Sequence, residues 1–154
     1  MKKELLFIQQ QLIETYNGDP WYGRSLLSIL QEVGAFKAWG AQVKNNHNNT
    51  VLLNHLINWR LFAISRFEVD SPDNSAFFEK HNFKMIIAPS AIDWQHALDR
   101  LARTQQHLLE HLDNKTDEIL DRPVAEQQYN FRVLLHGIIQ HDVYHIGQMM
   151  LSIK

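Results

Sequence analysis

Apolar residues recur at helical spacing in four long segments of this chain, and the stretches between them carry the residues that break helices. The first segment runs from about Lys3 to Tyr16. It stops at Asn17-Gly18-Asp19-Pro20, where glycine offers a C-terminal stop and proline cannot continue the hydrogen-bond ladder. Ser25 to Gln42 reads as one or two short helical pieces interrupted by Gly34 and Gly40. A polar loop, Asn45-Asn46-His47-Asn48-Asn49, then precedes a helix from Thr50 to about Phe67, with Asn49 as its expected cap. The third long helix follows Pro89. Ser90 serves as its N-cap, Asp93 lies in its first turn near the positive end of the dipole, and it continues to about Leu112. A fourth starts near Asn130, beyond Arg122-Pro123, and runs almost to the last residue. No strand pattern competes, so the expected class is all-α. No repeat, low-complexity tract or linker divides residues 1–154, which predicts a single domain. The connection from Glu68 to Ala88 is too long for a simple turn and predicts a lid or crossover.

The same periodicity assigns faces. In the third helix Trp94, Leu98, Leu101, Leu108 and Leu112 form one apolar stripe. His96 and His107 lie roughly 200–220° from Trp94 and face solvent, with His111 at the boundary. His107 and His111 have ligand-like spacing but sit off the stripe, so they read as solvated surface residues. In the second helix Leu52, His55, Trp59 and Phe62 form the stripe, with His55 in its middle. In the fourth, His141 and His145 share a face with Gln148 and, toward the N-terminus, with Leu134 and Ile138. His136 lies about 140° from His141 and about 180° from His145, so it points elsewhere. His47 and His81 fall in loops.

Composition changes the picture at one point. The 154 residues carry 15 Lys+Arg against 17 Asp+Glu, a net charge of -2 with no basic stripe, which predicts no nucleic-acid partner. The lysine-bearing N-terminus has its apolar run broken at Gln9, and no apolar stretch approaches the roughly 20 residues of a spanning helix. The expectation is therefore no signal peptide, no membrane span and a cytoplasmic location. Nine histidines and no cysteine are the unusual feature. Lacking cysteine, the chain has no disulfide, thiolate nucleophile, Fe–S ligation or Cys-based zinc finger, so metal or acid–base chemistry must use His, Asp, Glu or Tyr.

His141 and His145, one helical turn apart, suit two ligands of one divalent ion, or else are core histidines hydrogen-bonded to neighbours. His55 poses the same choice, because an imidazole on an apolar stripe needs a partner. Facing helices of a bundle can bring it to the pair, giving three neutral imidazoles around one cation with room left for water.

The stretch Leu134-Leu135-His136-Gly137-Ile138-Ile139-Gln140-His141-Asp142-Val143-Tyr144-His145-Ile146-Gly147-Gln148 resembles the HxxxHxxQ-bearing last helix of the DinB/YfiT-like metal-dependent enzymes. His55-Leu56-Ile57-Asn58-Trp59-Arg60 is similar to that family's histidine and following aromatic on helix two. Gly18-Asp19-Pro20-Trp21-Tyr22-Gly23, the Trp94 helix and Asp121-Arg122-Pro123 extend the likeness over nearly the whole chain. The resemblance implies a four-helix bundle, up-down-down-up, with short extra helices after helix 1. It also implies a metal held by His55, His141 and His145 in a cleft, and a homodimer. Tyr22 is a departure, since many relatives of this subgroup carry His after the Trp.

Neutral ligands leave a divalent ion a strong Lewis acid, able to lower the pKa of bound water or thiol or to polarise a carbonyl. Zn²⁺ and Ni²⁺ lead as the one ion per chain, with Fe²⁺ and Mn²⁺ behind them. Gln148, Tyr144 and Asp142 flank the ligands and are the expected residues to hydrogen-bond or orient them, with Gln148 preferred. The leading functional expectation is thiol transfer or hydrolysis on a small-molecule substrate, after the thiol-dependent transferases and isomerases among similar proteins. With no cysteine in the chain, the thiol would be a low-molecular-weight cosubstrate. The competing expectation is a stress-related metal-binding protein or sensor without turnover, because no obvious general base accompanies the ligands.

Overall fold

Leu5, Ile8, Leu12 and Tyr16 repeat at intervals of three and four, and in the computed structural model of the protein they form the buried side of the first helix, α1 (Lys3–Asn17). The structure describes residues 2–40, 42–43, 47–68, 76, 78, 80 and 90–153. Four further α-helices follow among the described residues: α2 (Leu26–Gly40), α3 (Asn49–Phe67), α4 (Ala91–Asp113) and α5 (Phe131–Leu151). A 3-10 turn over Asp117–Asp121 links α4 to α5. The class is all-helical apart from a two-residue antiparallel pairing that sets Gln42 opposite Asn48 and Val43 opposite His47. An isolated bridge also joins Pro123 to Asn130. His47, expected in a loop, therefore has its backbone in a minimal strand.

The boundaries follow local chemistry. Gly18 ends α1 by donating its N–H to the Glu14 carbonyl at 3.0 Å. Its conformation there is extended, and what demands glycine is space: a Cβ would fall 2.6 Å from the Glu14 Cα. Gly34 breaks the helical path of α2 at φ 58° and ψ 173°, in the positive-φ region that L side chains rarely adopt, so the segment is two helical pieces meeting at a kink, as its interrupted pattern allows. Ser90 caps α4 by accepting from the Asp93 N–H, as the sequence predicts, and Asn130, near which the last helix is expected to start, caps α5 by accepting from the Val133 N–H. At α3 the cap is Asn48, one residue before the expected Asn49. Asn49 is buried and donates its side-chain amide to the Ser152 hydroxyl at 2.8 Å, tying the start of α3 to the end of α5. The expected lid or crossover over 68–88 lies outside the described residues except at Glu68, Ala76, Phe78 and Lys80.

The predicted stripe of α4 is buried throughout, at Trp94, Leu98, Leu101, Leu108 and Leu112. α3 departs from the narrow stripe expected of it. Nearly every residue from Asn49 to Ile64 is buried, because neighbours pack on several of its sides, while Trp59 is half-buried. Two apolar cores result. One joins Leu26, Ile29 and Leu30 of α2 to Leu53 and Leu56 of α3, Leu98 and Leu101 of α4, and Ile146 and Met149 of α5. The other joins Leu5, Ile8 and Leu12 of α1 to Phe62 of α3, Leu108 and Leu112 of α4, and Leu134 and Ile138 of α5. On α3, α4 and α5 the residues lying between the two cores are polar: Arg60, Gln105 and Asp142, all buried.

Leu101 is fully enclosed in the first core. Leu101→Ala is expected to lower unfolding free energy by about 2–5 kcal/mol through lost transfer energy and the cavity left behind. Urea denaturation followed by circular dichroism measures it, and a loss within a few tenths of wild type contradicts this packing.

Candidate metal centre

Three helical positions bring three imidazoles together. His55 projects from α3 at 3% exposure and His145 from α5 at 4%, with His141, one turn before His145, half-buried. The Nε2 atom of His141 lies 2.7 Å from Nε2 of His55 and 3.0 Å from Nε2 of His145. One nitrogen from each ring falls within 4.8 Å of the other two, and no carboxylate joins the group among the described residues. Lone pairs this close repel unless a proton or a cation lies between them.

A neighbouring side chain sets one of the three tautomers. His145 Nδ1 is 2.7 Å from the Gln148 Oε1, which can only accept, so Nδ1 carries the proton and Nε2 presents its lone pair to the cluster. Gln148 is itself held by donating from Nε2 to the Tyr144 hydroxyl at 2.9 Å. Burial, and then the nearby charges of His145, His55 and Arg60, lower the pKa of His141 from 6.5 to about 3, which keeps it neutral across the physiological range. Three imidazole nitrogen donors suit a divalent ion of intermediate softness. Trp59 closes one side, with its ring edge-on to His141 at 5.8 Å and to Phe62 at 5.5 Å, and Phe78 packs against Phe62 in turn.

Among the residues expected to support the ligands, Gln148 and Tyr144 form a chain ending on His145. Asp142 is used differently. It accepts from Arg60 through both carboxylate oxygens, at 3.1 and 2.5 Å, in a pair with almost no solvent exposure. Arg60 also donates from Nε to Gln105 Oε1 at 3.0 Å, and Gln105 donates to the Leu12 carbonyl at 3.1 Å. One network thus runs from α1 through α4 and α3 to α5. The roles of Arg60 and Gln105 are not foreseen from the pattern, although Gln105 lies four residues after Leu101 and three before Leu108, on the core stripe of α4.

The remaining histidines separate from the cluster. His96 and His107 are exposed, as expected. His111, grouped with His107 as solvated, is instead half-buried and stacked on Phe67 at 5.7 Å with a 10° interplanar angle, since Phe67 ends α3 against that turn of α4. His136 is half-buried outside the cluster, and His81 lies outside the described residues. Tyr22 is partly exposed in the turn closed by the hydrogen bond from Gly23 N–H to the Pro20 carbonyl.

A family model of the DinB superfamily matches residues 23–149, a span that includes α2, α3, α4, α5 as far as Met149, and all three clustered histidines. The chain belongs to the DinB superfamily. No curated protein and no solved structure matches it. Among the described residues of this DinB-superfamily chain, no helix is long and apolar enough to cross a membrane.

Two outcomes follow from the site's electrostatics. Asp142→Ala leaves the Arg60 charge buried and unpaired, and is expected to cost about 3–5 kcal/mol of stability by chemical denaturation; a loss under about 1 kcal/mol would contradict the pairing. The second concerns pH. His141 in the metal-free folded chain titrates at about 3, below the unfolded value of 6.5, so the unfolded state takes up the proton first as pH falls. The contribution is complete above 6.5 and is lost progressively as pH falls toward 3. Denaturation of the metal-free wild type at intervals from pH 7 to pH 4 should show this decline, reduced in His141→Ala; identical profiles would refute it.

Proposed function

We propose that this protein is a cytoplasmic metal-dependent enzyme that holds one divalent ion on His55, His141 and His145 and acts on a small molecule by thiol transfer or hydrolysis. The observation that carries the reading is the meeting of three imidazole nitrogens from two helices, with the His145 tautomer set by Gln148. Such an ion, Zn²⁺ or Ni²⁺ before Fe²⁺ or Mn²⁺, supplies Lewis-acid chemistry that lowers the pKa of a bound water or thiol. The protein's own residues do the positioning. Gln148, steadied by Tyr144, orients His145; the Arg60–Asp142 pair fixes the rotation of α5 beside His141; Trp59 and Phe62 exclude water from one side. A chain with no cysteine must receive any thiol as a cosubstrate of low molecular weight.

The fold that accompanies this reading is a single-domain four-helix bundle of α1, α3, α4 and α5, up-down-down-up, with bent α2 as the extra element after α1. Its support is the order in which helices pass between the two cores. α3 and α4 enter the Leu56 and Leu101 core first and the Phe62 and Leu108 core second, whereas α1 and α5 pass in the opposite order. A homodimer, implied by the superfamily resemblance, belongs to the same reading.

A second reading, a metal-binding protein or sensor without turnover, has one observation in its favour: no carboxylate lies in the histidine group among the described residues, and the adjacent Asp142 is occupied by Arg60. Metal-loaded protein assayed with a panel of low-molecular-weight thiols and electrophiles separates the two, and absence of turnover with every metal and thiol selects the second.

Elemental analysis of purified protein should give about one divalent ion per chain, lost in His55→Ala and in His141→Ala. Gln148→Leu, which removes the acceptor from His145 Nδ1, should weaken metal affinity by roughly 10–100-fold while leaving the ligands in place. Equal metal content in wild type and the two histidine variants would sink the assignment.

A further inference from the structure

Beside the histidine cluster, α3, α5 and the segment before α5 line a half-open cavity of about 240 Å³, walled by Trp59, Tyr129, Val133, Gly137 and Ile138 and sharing His141 with the cluster. Its lining is almost entirely carbon. Val133, Gly137 and His141 follow one another at intervals of four, so they rise along one face of α5, and Gly137 sits one turn from the ligand.

Gly137 is the informative residue. A glycine within a helix weakens it relative to alanine, so its presence calls for a reason in backbone shape or packing. Among the described residues neither is found: Gly137 is not among those with positive φ, and a Cβ built on it meets no described atom within 4 Å; Gly147 of the same helix shares both properties but is not part of the cavity wall. The missing side chain leaves space in the wall of a cavity. A second feature of that wall is the indole of Trp59, whose buried Nε1–H has no acceptor among the described residues.

We infer that this cavity is the specificity pocket for the substrate, taking an apolar group the size of one aromatic ring on a molecule whose reacting atom lies at the three histidines. The inference rests on the reading of the cluster as the reactive centre. Size and lining set the class: an apolar cavity of about 150 Å³ holds benzene, so this one has room for a ring and a short substituent.

Benzyl alcohol is the probe, added to the nitrogen-15-labelled 154-residue chain while the indole N–H signal of Trp59, assigned with Trp59→Phe, is followed by NMR. A saturable shift of that signal is expected in the wild type, with ethanol at least about tenfold weaker. Gly137→Leu fills the space and should weaken benzyl alcohol at least about tenfold, with zinc stoichiometry unchanged. Should the leucine variant fail to fold, Gly137→Ala decides: it should melt no lower than wild type and bind the probe about two- to threefold more weakly. No saturable shift in the wild type, or wild-type affinity in a folded Gly137 variant, overturns the pocket. Zinc uptake separates the two claims. Zinc bound without benzyl alcohol binding defeats the pocket alone, whereas benzyl alcohol bound by a chain that takes up none of Zn²⁺, Ni²⁺, Fe²⁺ and Mn²⁺ supports the pocket and defeats the metal reading.

Discussion

Arg60 is wholly buried in the middle of α3, and its guanidinium is answered by both oxygens of Asp142 on α5. A buried charge cannot be left partly satisfied, so this fork-to-carboxylate pair fixes where α5 sits along α3 and how it is rotated. Asp142 follows His141 directly, and Arg60 lies five residues after His55. Setting Asp142 against Arg60 therefore sets His141 and His145 against His55. Arg60 Nε also reaches Gln105, which reaches the Leu12 carbonyl, so the alignment extends to α4 and α1.

The pair also conditions the chemistry beside it. Arg60 places a fixed positive charge close to His141 and adds to the burial that keeps that imidazole neutral. A second cation could be held here only by groups whose lone pairs outweigh that repulsion. Asp142 offsets much of the Arg60 charge, and three imidazoles converge where a carboxylate is missing among the described residues. The arrangement keeps the negative charge on the structural pair and leaves the candidate ligands neutral, which would preserve the full charge of an ion held between them.

How far the sequence discloses this depends on how one-sided each helix is. α4 has a solvated face, so its apolar stripe from Trp94 to Leu112 and the exposure of His96 and His107 follow from period alone. α3 is enclosed on several sides, and periodicity loses contrast in a helix buried nearly all round. His55 could be placed on a core face, but Arg60 could not, because a charged residue at a buried position is legible only once its partner is known. The HxxxH spacing placed His141 and His145 on one side of α5, and Gln148 fell on the same side for the same reason. What spacing cannot supply is convergence between helices 86 residues apart in sequence, which came from tertiary packing. Boundary differences have local causes: Asn49 serves α5 rather than its own helix, so Asn48 caps α3.

Stability alone does not account for the polar layer between the two cores. Replacing a buried ion pair by packed apolar side chains of similar volume is often neutral or stabilising, so Arg60, Gln105 and Asp142 are not what a purely structural helical core requires. Three facing imidazole nitrogens are a further departure, since adjacent lone pairs repel in the absence of a cation or proton. Each departure is costly when considered separately. Together they have one geometric consequence: the salt bridge sets the register that holds the imidazoles face to face, and Gln148 turns the lone pair of His145 inward. The buried polar layer and the candidate metal centre are therefore one construction, and weakening the first should be felt at the second even where no ligand has been touched.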